Sequence, residues 1–429
     1  MPRRVLLVLP TTTYRAAAYL RAARRLGLSV VVASEAPSSL ASLRPDGELV
    51  IDLGDPEGAA RRAQRLARRA PIDAVVGVDE GAVLAAAVIA ARLGLRHSPP
   101  DAVSATRDKR ALRRRLAAAG VAQPDFTTWP EPVGDPAGAA ARVGFPCVVK
   151  PVDQAGSRGV IRADGPRGLL RATRTVLAML EADRAAGRCG PLPDPPLLLE
   201  RFVEGPEVAL EGLVVGGRLR TLAIFDKPDP LDGPTFEETL YCTPSRLPAA
   251  AQRRVRAAAG AAVRALGLTE GPVHAELRLP GGRALVLEVA ARTIGGQCSE
   301  VLRLADGGSL EMLVLRHALG ERPLGTRLAP GAAGVLMLPI PRAGVVTGVE
   351  GLEQARAVPG VDDVRLAVPV GQPVRPLPEG DRYLGFAFAH APDVEAVEVA
   401  LRVVRRLVRV RISPQVGPAR RPARARPAR

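Results

Sequence analysis

Two glutamates, Glu276 and Glu288, stand on either side of a Pro-Gly-Gly turn within residues 273–292, a stretch whose apolar residues alternate as in two paired strands. One apolar set is Ala275, Leu277 and Leu279, and the other is Leu285, Leu287 and Val289. Facing them together puts Leu277 opposite Leu287 and Leu279 opposite Leu285. That register sets Glu276 directly across from Glu288, with His274 across from Ala290 and Arg292 further along the same side. Like charges directly opposite on a sheet repel. A divalent cation between them turns the cost into a site. Mg²⁺ suits such a pair, because it takes one or two carboxylates and completes its shell with water and phosphate oxygens. A nearby arginine can then steady charge on a phosphoryl group in transfer, which is the chemistry offered by Arg292. Left in water, the same hairpin is only an exposed turn with two solvated acids. The adjoining Gly295-Gly296 pair argues for a ligand, since it leaves backbone room for one to approach.

Upstream, residues 145–160 run from an apolar strand into Lys150 and then a loop of small residues containing Gly156, Ser157 and Gly159. Such a loop lets N–H groups reach phosphate oxygens, although it also reads as a plain tight hairpin. It is not a P-loop, for no Gly-Lys-Ser/Thr occurs and no helix follows directly. The catalytic-loop and Asp-Phe-Gly signatures of kinases are missing as well. Residues 197–208 place Glu200 at the end of an apolar strand, then Phe202 and Val203, a Gly-Pro turn and Glu207. Glu200 and its neighbouring backbone suit an adenine edge and Glu207 suits ribose hydroxyls; two solvent-facing turn acids are the other reading. The 60 basic residues include only three lysines, Lys109, Lys150 and Lys227, and asparagine is absent. Under that bias a retained lysine points to a need for a compact ammonium, which arginine's planar fork does not supply.

The elements that must position these groups follow from periodicity. Residues 3–100 alternate strands (5–9, 29–33, 49–53, 74–78) with helices (14–26, 56–69, 80–93), which implies a parallel sheet covered by helices on both faces. No Gly-x-Gly-x-x-Gly follows the first strand, so a familiar dinucleotide site is not supported. A basic helix is expected over 104–119, a loop over 130–138, and a proline-rich loop over 185–196. Strands are expected at 197–200 and 207–215, then a loop to about 247, a helix at 249–266, the hairpin 273–290 and a helix at 309–319. A Pro/Gly stretch around 322–334 marks a boundary. Short strands and a helix at 393–407 follow it, and a Pro/Ala/Arg tail closes the chain. The expected fold class is α/β and α+β. Its parts are an N-terminal parallel α/β domain (1–103), a central two-part domain (104–325), a small C-terminal α+β domain (326–412) and a disordered basic tail (413–429).

Composition narrows the functional classes. The 429 residues are 47% hydrophobic and 24% charged, which is a globular balance. No apolar run reaches the 18 or so residues of a membrane span, so no membrane partner is expected. Cys147, Cys189, Cys242 and Cys298 form no CxxC pair, which points away from disulfides and zinc and toward the cytoplasm. The net charge of +16 invites nucleic acid. Five of those charges (Arg420, Arg421, Arg424, Arg426, Arg429) lie in the tail, however, and aromatics at 3% leave few stacking platforms, so no specific nucleic-acid partner is expected.

Taken in order, a helical Lys109, Lys150 before a small-residue loop, Glu200-Arg-Phe-Val, Glu207 and a Glu…Glu-x-x-x-Arg hairpin resemble the ATP-grasp superfamily over roughly residues 1–412. Glu288-Val-Ala-Ala-Arg292-Thr-Ile-Gly-Gly is most similar to its carboxylate–amine ligases, which include bacterial L-amino acid ligases and carnosine-synthase-like enzymes. The resemblance implies an ATP-grasp centre that uses ATP with Mg²⁺ or Mn²⁺. It would form an amide from a small-molecule carboxylate and an amine through an acyl phosphate, and it allows a homodimer. It implies that Lys109 and Lys150 contact phosphates and that Gly156, Ser157 and Gly159 form a lid. Glu200 with Phe202 and Val203 would face adenine, and Glu207 would bind ribose. Glu276 and Glu288 would hold the metal, and Arg292 would steady the acyl phosphate. Lys227, His274, Gly295 and Gly296 would lie on the substrate side. Many ATP-grasp enzymes have asparagine two residues after the second metal glutamate, where this chain has Ala290. A carboxylase-type or nucleotide-pathway ATP-grasp enzyme is the same-fold alternative, although no biotinyl Ala-Met-Lys-Met motif occurs. A non-catalytic nucleotide binder is the alternative that Ala290 raises.

Overall fold

The computed structural model describes residues 2–37, 47–129, 136–188, 190–321 and 327–414. Its N-terminal part is a four-stranded parallel sheet in the order Glu48–Val50, Ser29–Ser34, Arg4–Val8, Ala74–Gly77. The central strand carries Val5, Leu6, Leu7 and Val8, all fully buried, because helices cover both faces. Strand alternation sends Val5 and Leu7 into one core and Leu6 and Val8 into another. Each such side chain contributes roughly 1.5–3 kcal/mol by leaving water. The strand order reverses beside Arg4–Val8, so the loops leaving it and Ala74–Gly77 diverge at their C-terminal ends.

Two antiparallel sheets border the site, and a third, ordered Pro373–Val374, Gly344–Glu350, Arg409–Ser413, lies in the C-terminal part. Of the first two, the smaller is ordered Phe126–Trp129, Leu197–Arg201, Cys147–Pro151, Ile161–Ala163. Helices Pro136–Val143 and Pro166–Ala185 pack with it, where the sequence reading expected only loops, strands and turns. The larger sheet has eight strands: Leu285–Ala290, Glu270–Arg278, Glu207–Val215, Arg218–Asp226, Leu240–Thr243, Ala332–Leu338, Gly385–Ala391 and Val361–Leu366. Two of these, Arg218–Asp226 and Leu240–Thr243, lie where a loop to about 247 was expected. The sheet continues into the C-terminal strands, so the boundary expected at 325/326 interrupts no layer; residues 322–326 lie outside the described residues, as do Cys189 and 415–429 of the basic tail. Ser413, assigned to that tail, ends the strand Arg409–Ser413. Helix Ala249–Leu266 packs against the larger sheet and stops at Gly267, whose φ of 78° is left-handed. No helix among the described residues is long and apolar enough to cross a membrane.

The basic helix expected at 104–119 is two helices, Pro100–Arg107 and Lys109–Ala118. Asp108 breaks them apart. Its backbone is extended, and its carboxylate accepts from the N–H groups of Arg110 and Ala111 as an N-cap. Lys109 therefore starts a helix, and its N–H donates to the Val152 carbonyl at 2.9 Å, which ties the helix start to the glycine loop.

Candidate active site

A cleft of about 600 Å³ opens where the two antiparallel sheets meet the N-terminal loops. Its lining includes Lys109, Lys150, Gly156 and Ser157 on one side and Glu200, Phe202, Val203 and Glu207 on another. His274, Glu276, Glu288, Arg292, Gly295 and Gly296 also line it. Residues more than 180 positions apart in sequence thus share one space. Gly159 and Lys227 are not on its wall.

The two glutamates lie where the alternation puts them: Glu276 pairs with Glu288 and His274 with Ala290. Toward the turn the register departs from expectation, with Leu277 opposite Val286 and Arg278 opposite Leu285. A bulge at Leu287 causes the slip and breaks the alternation. Val286 and Val289 are fully buried, whereas Leu287 lines the cleft. The buried Arg113 satisfies the carbonyls at the bulge, donating to Val286 at 3.0 Å and Leu287 at 2.6 Å. Its Nε donates to Glu200 Oε1 at 2.6 Å, and Lys150 Nζ lies 2.6 Å from Glu200 Oε2. Burial pushes the Glu200 carboxyl up, but Arg113 and Lys150 outweigh it and bring it down to about 2. Both Glu200 oxygens are thereby engaged with cations. Nearby, the Phe202 N–H donates to the Pro146 carbonyl at 2.9 Å.

Glu207 is likewise engaged, by Lys227 at 2.6 Å and Arg278 at 2.8 Å. Lys227 also lies 2.5 Å from Glu238 and 3.3 Å from Glu276. Glu207, Glu238 and Glu276 each bring one oxygen within 4.8 Å of the others, and the buried Lys227 ammonium sits among them. Burial alone would favour the neutral amine; the three carboxylates hold the Lys227 pKa well above its ordinary value.

Glu288 has different surroundings. No cation of the described residues comes within 4.0 Å of it. Burial pushes its carboxyl up, yet the field of Lys109, Arg292 and Lys150 holds it below the ordinary value. Glu276 is pushed up by burial, and Glu207 and Glu288 add to that push against Lys227. Two facing carboxylates, one without a partner, are a hard-oxygen donor set that fits Mg²⁺. Ala290 is buried and brings no further donor.

In the glycine loop, Gly156 and Ser157 both have positive φ, 65° and 57°, and neither N–H makes a hydrogen bond within the described residues. The Lys109 ammonium donates to the Gln154 carbonyl beside them. Gly159 packs instead of facing the cleft: a Cβ there would lie 2.6 Å from Pro151 Cγ and 2.8 Å from Met179 Cε. Its N–H donates to the Pro378 carbonyl at 2.9 Å. Arg292 is buried, with Nε 2.6 Å from Glu80 Oε2 and Nη1 donating to the Thr293 carbonyl at 3.0 Å. His274 Nε2 lies 3.3 Å from Glu276, and burial followed by Arg292 and Lys227 brings its pKa down to about 3, so the ring is neutral near pH 7.

The chain matches three families along its length. They are the ATP-grasp N-terminal domain over residues 20–97, the ATP-grasp domain over 143–301, and the L-amino acid ligase C-terminal domain 2 over 336–413. The chain belongs to the ATP-grasp ligase family. An L-amino acid ligase from Bacillus licheniformis superposes with a TM-score of 0.78 at 26% identity, covering 96% of this chain and 100% of that one. Carnosine synthase 1 of Gallus gallus is 29% identical over 352 residues, 78% of this chain and 38% of that protein. Alanine–anticapsin ligase of Bacillus subtilis is 27% identical over 263 residues, 57% of this chain and 53% of that protein. The chain thus spans about two fifths to a half of those two curated relatives.

Several groups of this ATP-grasp cleft escaped the sequence reading. Arg113 lies among Arg110, Arg114 and Arg115, and nothing in that run singles out the buried one. Tyr14, Arg15, Asp79 and Glu80 had a usable signal, since they directly follow two parallel strands at the reversal of strand order.

Proposed function

We propose that the chain uses ATP and Mg²⁺ to join a carboxylate, an amino acid in our reading, to an amine through an acyl phosphate, with release of ADP and phosphate. The observation that carries this reading is the pairing of Glu276 with Glu288 on the wall of a cleft that also holds Lys109, Lys150 and Arg292. Glu276 and Glu288 would hold the metal, which when bound would supply positive charge that offsets the negative charge of the phosphates. Lys150, fixed by Glu200, and Lys109, fixed at a helix start, meet the phosphates. The free N–H groups of Gly156 and Ser157 cover them.

A carboxylate is a poor electrophile for an amine. Attack of its oxygen on the γ-phosphorus of ATP expels ADP and gives an acyl phosphate. The neutral amine then adds to the acyl carbon, phosphate leaves with the bonding pair, and the proton lost by the nitrogen goes to the departing phosphate. Arg292, turned into the cleft and anchored by Glu80, offsets charge on the acyl phosphate. Burial of these groups keeps water from the intermediate. His274, neutral near pH 7, serves better to orient Glu276 than to carry charge.

A screen of phosphate and ADP release over pairs of amino acids and amines tests the reading, with Glu288→Gln as the blank. Mg²⁺-dependent release that needs both substrates supports it. Equal traces from wild type and blank for every pair would remove it.

A further inference from the structure

The N-terminal sheet reverses its order between Arg4–Val8 and Ala74–Gly77, and open α/β sheets take ligands in the crevice at such a reversal. Here the two diverging loops bring Tyr14, Arg15, Asp79 and Glu80 to the wall of the ATP-grasp cleft. The chemistry described above uses neither Arg15 nor Asp79.

Arg15 is only 8% exposed. Its Nη1 donates to the carbonyl and hydroxyl of Thr293 at 2.9 and 2.7 Å. Its Nε is buried without a partner. Its Nη2 makes no hydrogen bond among the described residues and stands beside Gly295 on the cleft wall, 3.7 Å from where a Cβ on that glycine would be. No carboxylate of the described residues comes within 4.0 Å of the guanidinium. Its neighbour on the Thr293 carbonyl, Arg292, has Glu80 as partner at 2.6 Å. Asp79 is the mirror case. Among the described residues its oxygens accept only from the Glu80 N–H and the Thr13 hydroxyl, both at 2.8 Å, and no cation lies within 4.0 Å. A guanidinium held in a buried wall without a carboxylate in contact keeps donors open, and an anionic ligand fills them.

One crevice thus carries a cation and an anion that attract across a distance without forming a direct ion pair, which is the complement of a zwitterion. We propose that this N-terminal crevice is the binding site of the amine substrate, with Arg15 taking the carboxylate that an α-amino acid keeps through the reaction and Asp79 taking its ammonium. The assignment rests on the ligase reading of the cleft and adds to it the place and the polar groups that select the acceptor. Arg15 gives a forked donor suited to a carboxylate, and Tyr14, whose ring centroid lies 5.7 Å from the Arg15 Cζ, braces it.

The test uses the full chain with Mg²⁺ and a non-hydrolysable ATP analogue. Thermal shift followed by calorimetry is run with the twenty proteinogenic L-amino acids and with their decarboxylated amines. At least one amino acid is expected to bind while its amine does not. Arg15→Met should weaken that binding roughly 10- to 100-fold, the loss of a charge-assisted hydrogen bond. Arg15→Lys should recover part of it, and Asp79→Asn should weaken it less than Arg15→Met does. All three should leave affinity for the ATP analogue within about twofold. In ligation assays the α-carboxamide of the acceptor should show the same rise in KM on wild type that Arg15→Met shows with the free acid. The proposal is overturned if no amino acid binds, if an amino acid and its amine bind wild type alike, or if Arg15→Met keeps the affinity. It is also overturned if the carboxamide is ligated as well as the free acid, which would place the retained carboxylate elsewhere. Wild-type comparisons between ligands need no variant to fold. ADP release reports on the ligase reading separately from these binding results.

Discussion

Glu200 and Glu288 both face the same cleft, yet their surroundings differ. Glu200 has one cation on each oxygen, from Arg113 and Lys150, and the same Arg113 secures the bulge beside Glu288. Glu288 has no cation of the described residues within 4.0 Å, although Lys109, Lys150 and Arg292 bathe it in positive field. The contrast recurs between Lys227, enclosed by three carboxylates, and Arg15, which meets none of the described residues' carboxylates within 4.0 Å. Glu200 and Lys227 have their charge balanced by direct partners inside the chain, which suits groups that hold the wall in shape. Glu288 and Arg15 have no ion-pair partner among the described residues, which on the proposed reading leaves them open to metal or substrate.

That division can be broken from either side. The largest effect on turnover is expected from Glu288→Gln, a loss of about 10³-fold or more for a metal-held transition state, with thermal stability unchanged or slightly lowered, because the field of Lys109, Arg292 and Lys150 outweighs the facing like charge. ADP release and a melting curve measure both; normal turnover in this variant would contradict its open role. The largest effect on stability is expected from Glu200→Gln, which leaves Arg113 and Lys150 without their counter-charge and costs about 3–5 kcal/mol in a urea titration. A cost near zero would show that the pair is not structural.

A pH series sharpens the same contrast. The folded-state pKa of Glu200, about 2, lies below its ordinary value of 4.5, so its contribution is complete above about pH 4.5 and fades as pH falls toward 2. Unfolding curves between pH 5 and 2 should show wild type losing stability that Glu200→Gln never had. Lys227→Met gives a smaller and more specific signal. Glu207, Glu238 and Glu276 then repel one another, and a divalent ion should bind among them and restore part of the lost stability. Mn²⁺ titration with and without the substitution checks this, and an identical metal count in both would contradict it.

Much of this arrangement was legible in the sequence because strand pairing has a fixed period. Alternation around the Pro-Gly-Gly turn was enough to set Glu276 against Glu288, and the run of residues 5–9 was enough to mark a buried strand. The bulge at Leu287 was not legible, since it depends on Arg113, a residue reached only through packing of helix Lys109–Ala118 against the hairpin. The break at Asp108 was legible in principle as a capping residue, but helical periodicity on both sides masked it. Helix Pro166–Ala185 was hidden because the glycine loop and proline-rich segment around it suggested only strands and turns. Arg15 and Asp79 required the strand order, which no local pattern reveals.

The most direct measurement is Mn²⁺ binding with bound ADP, followed by electron paramagnetic resonance, on wild type, Glu276→Gln and Glu288→Gln. Wild type should bind Mn²⁺ together with the nucleotide, and each substitution should raise the metal Kd about 10- to 100-fold while the fold stays intact. Undiminished Mn²⁺ affinity in both variants would contradict the claim that these two facing carboxylates grip the ion.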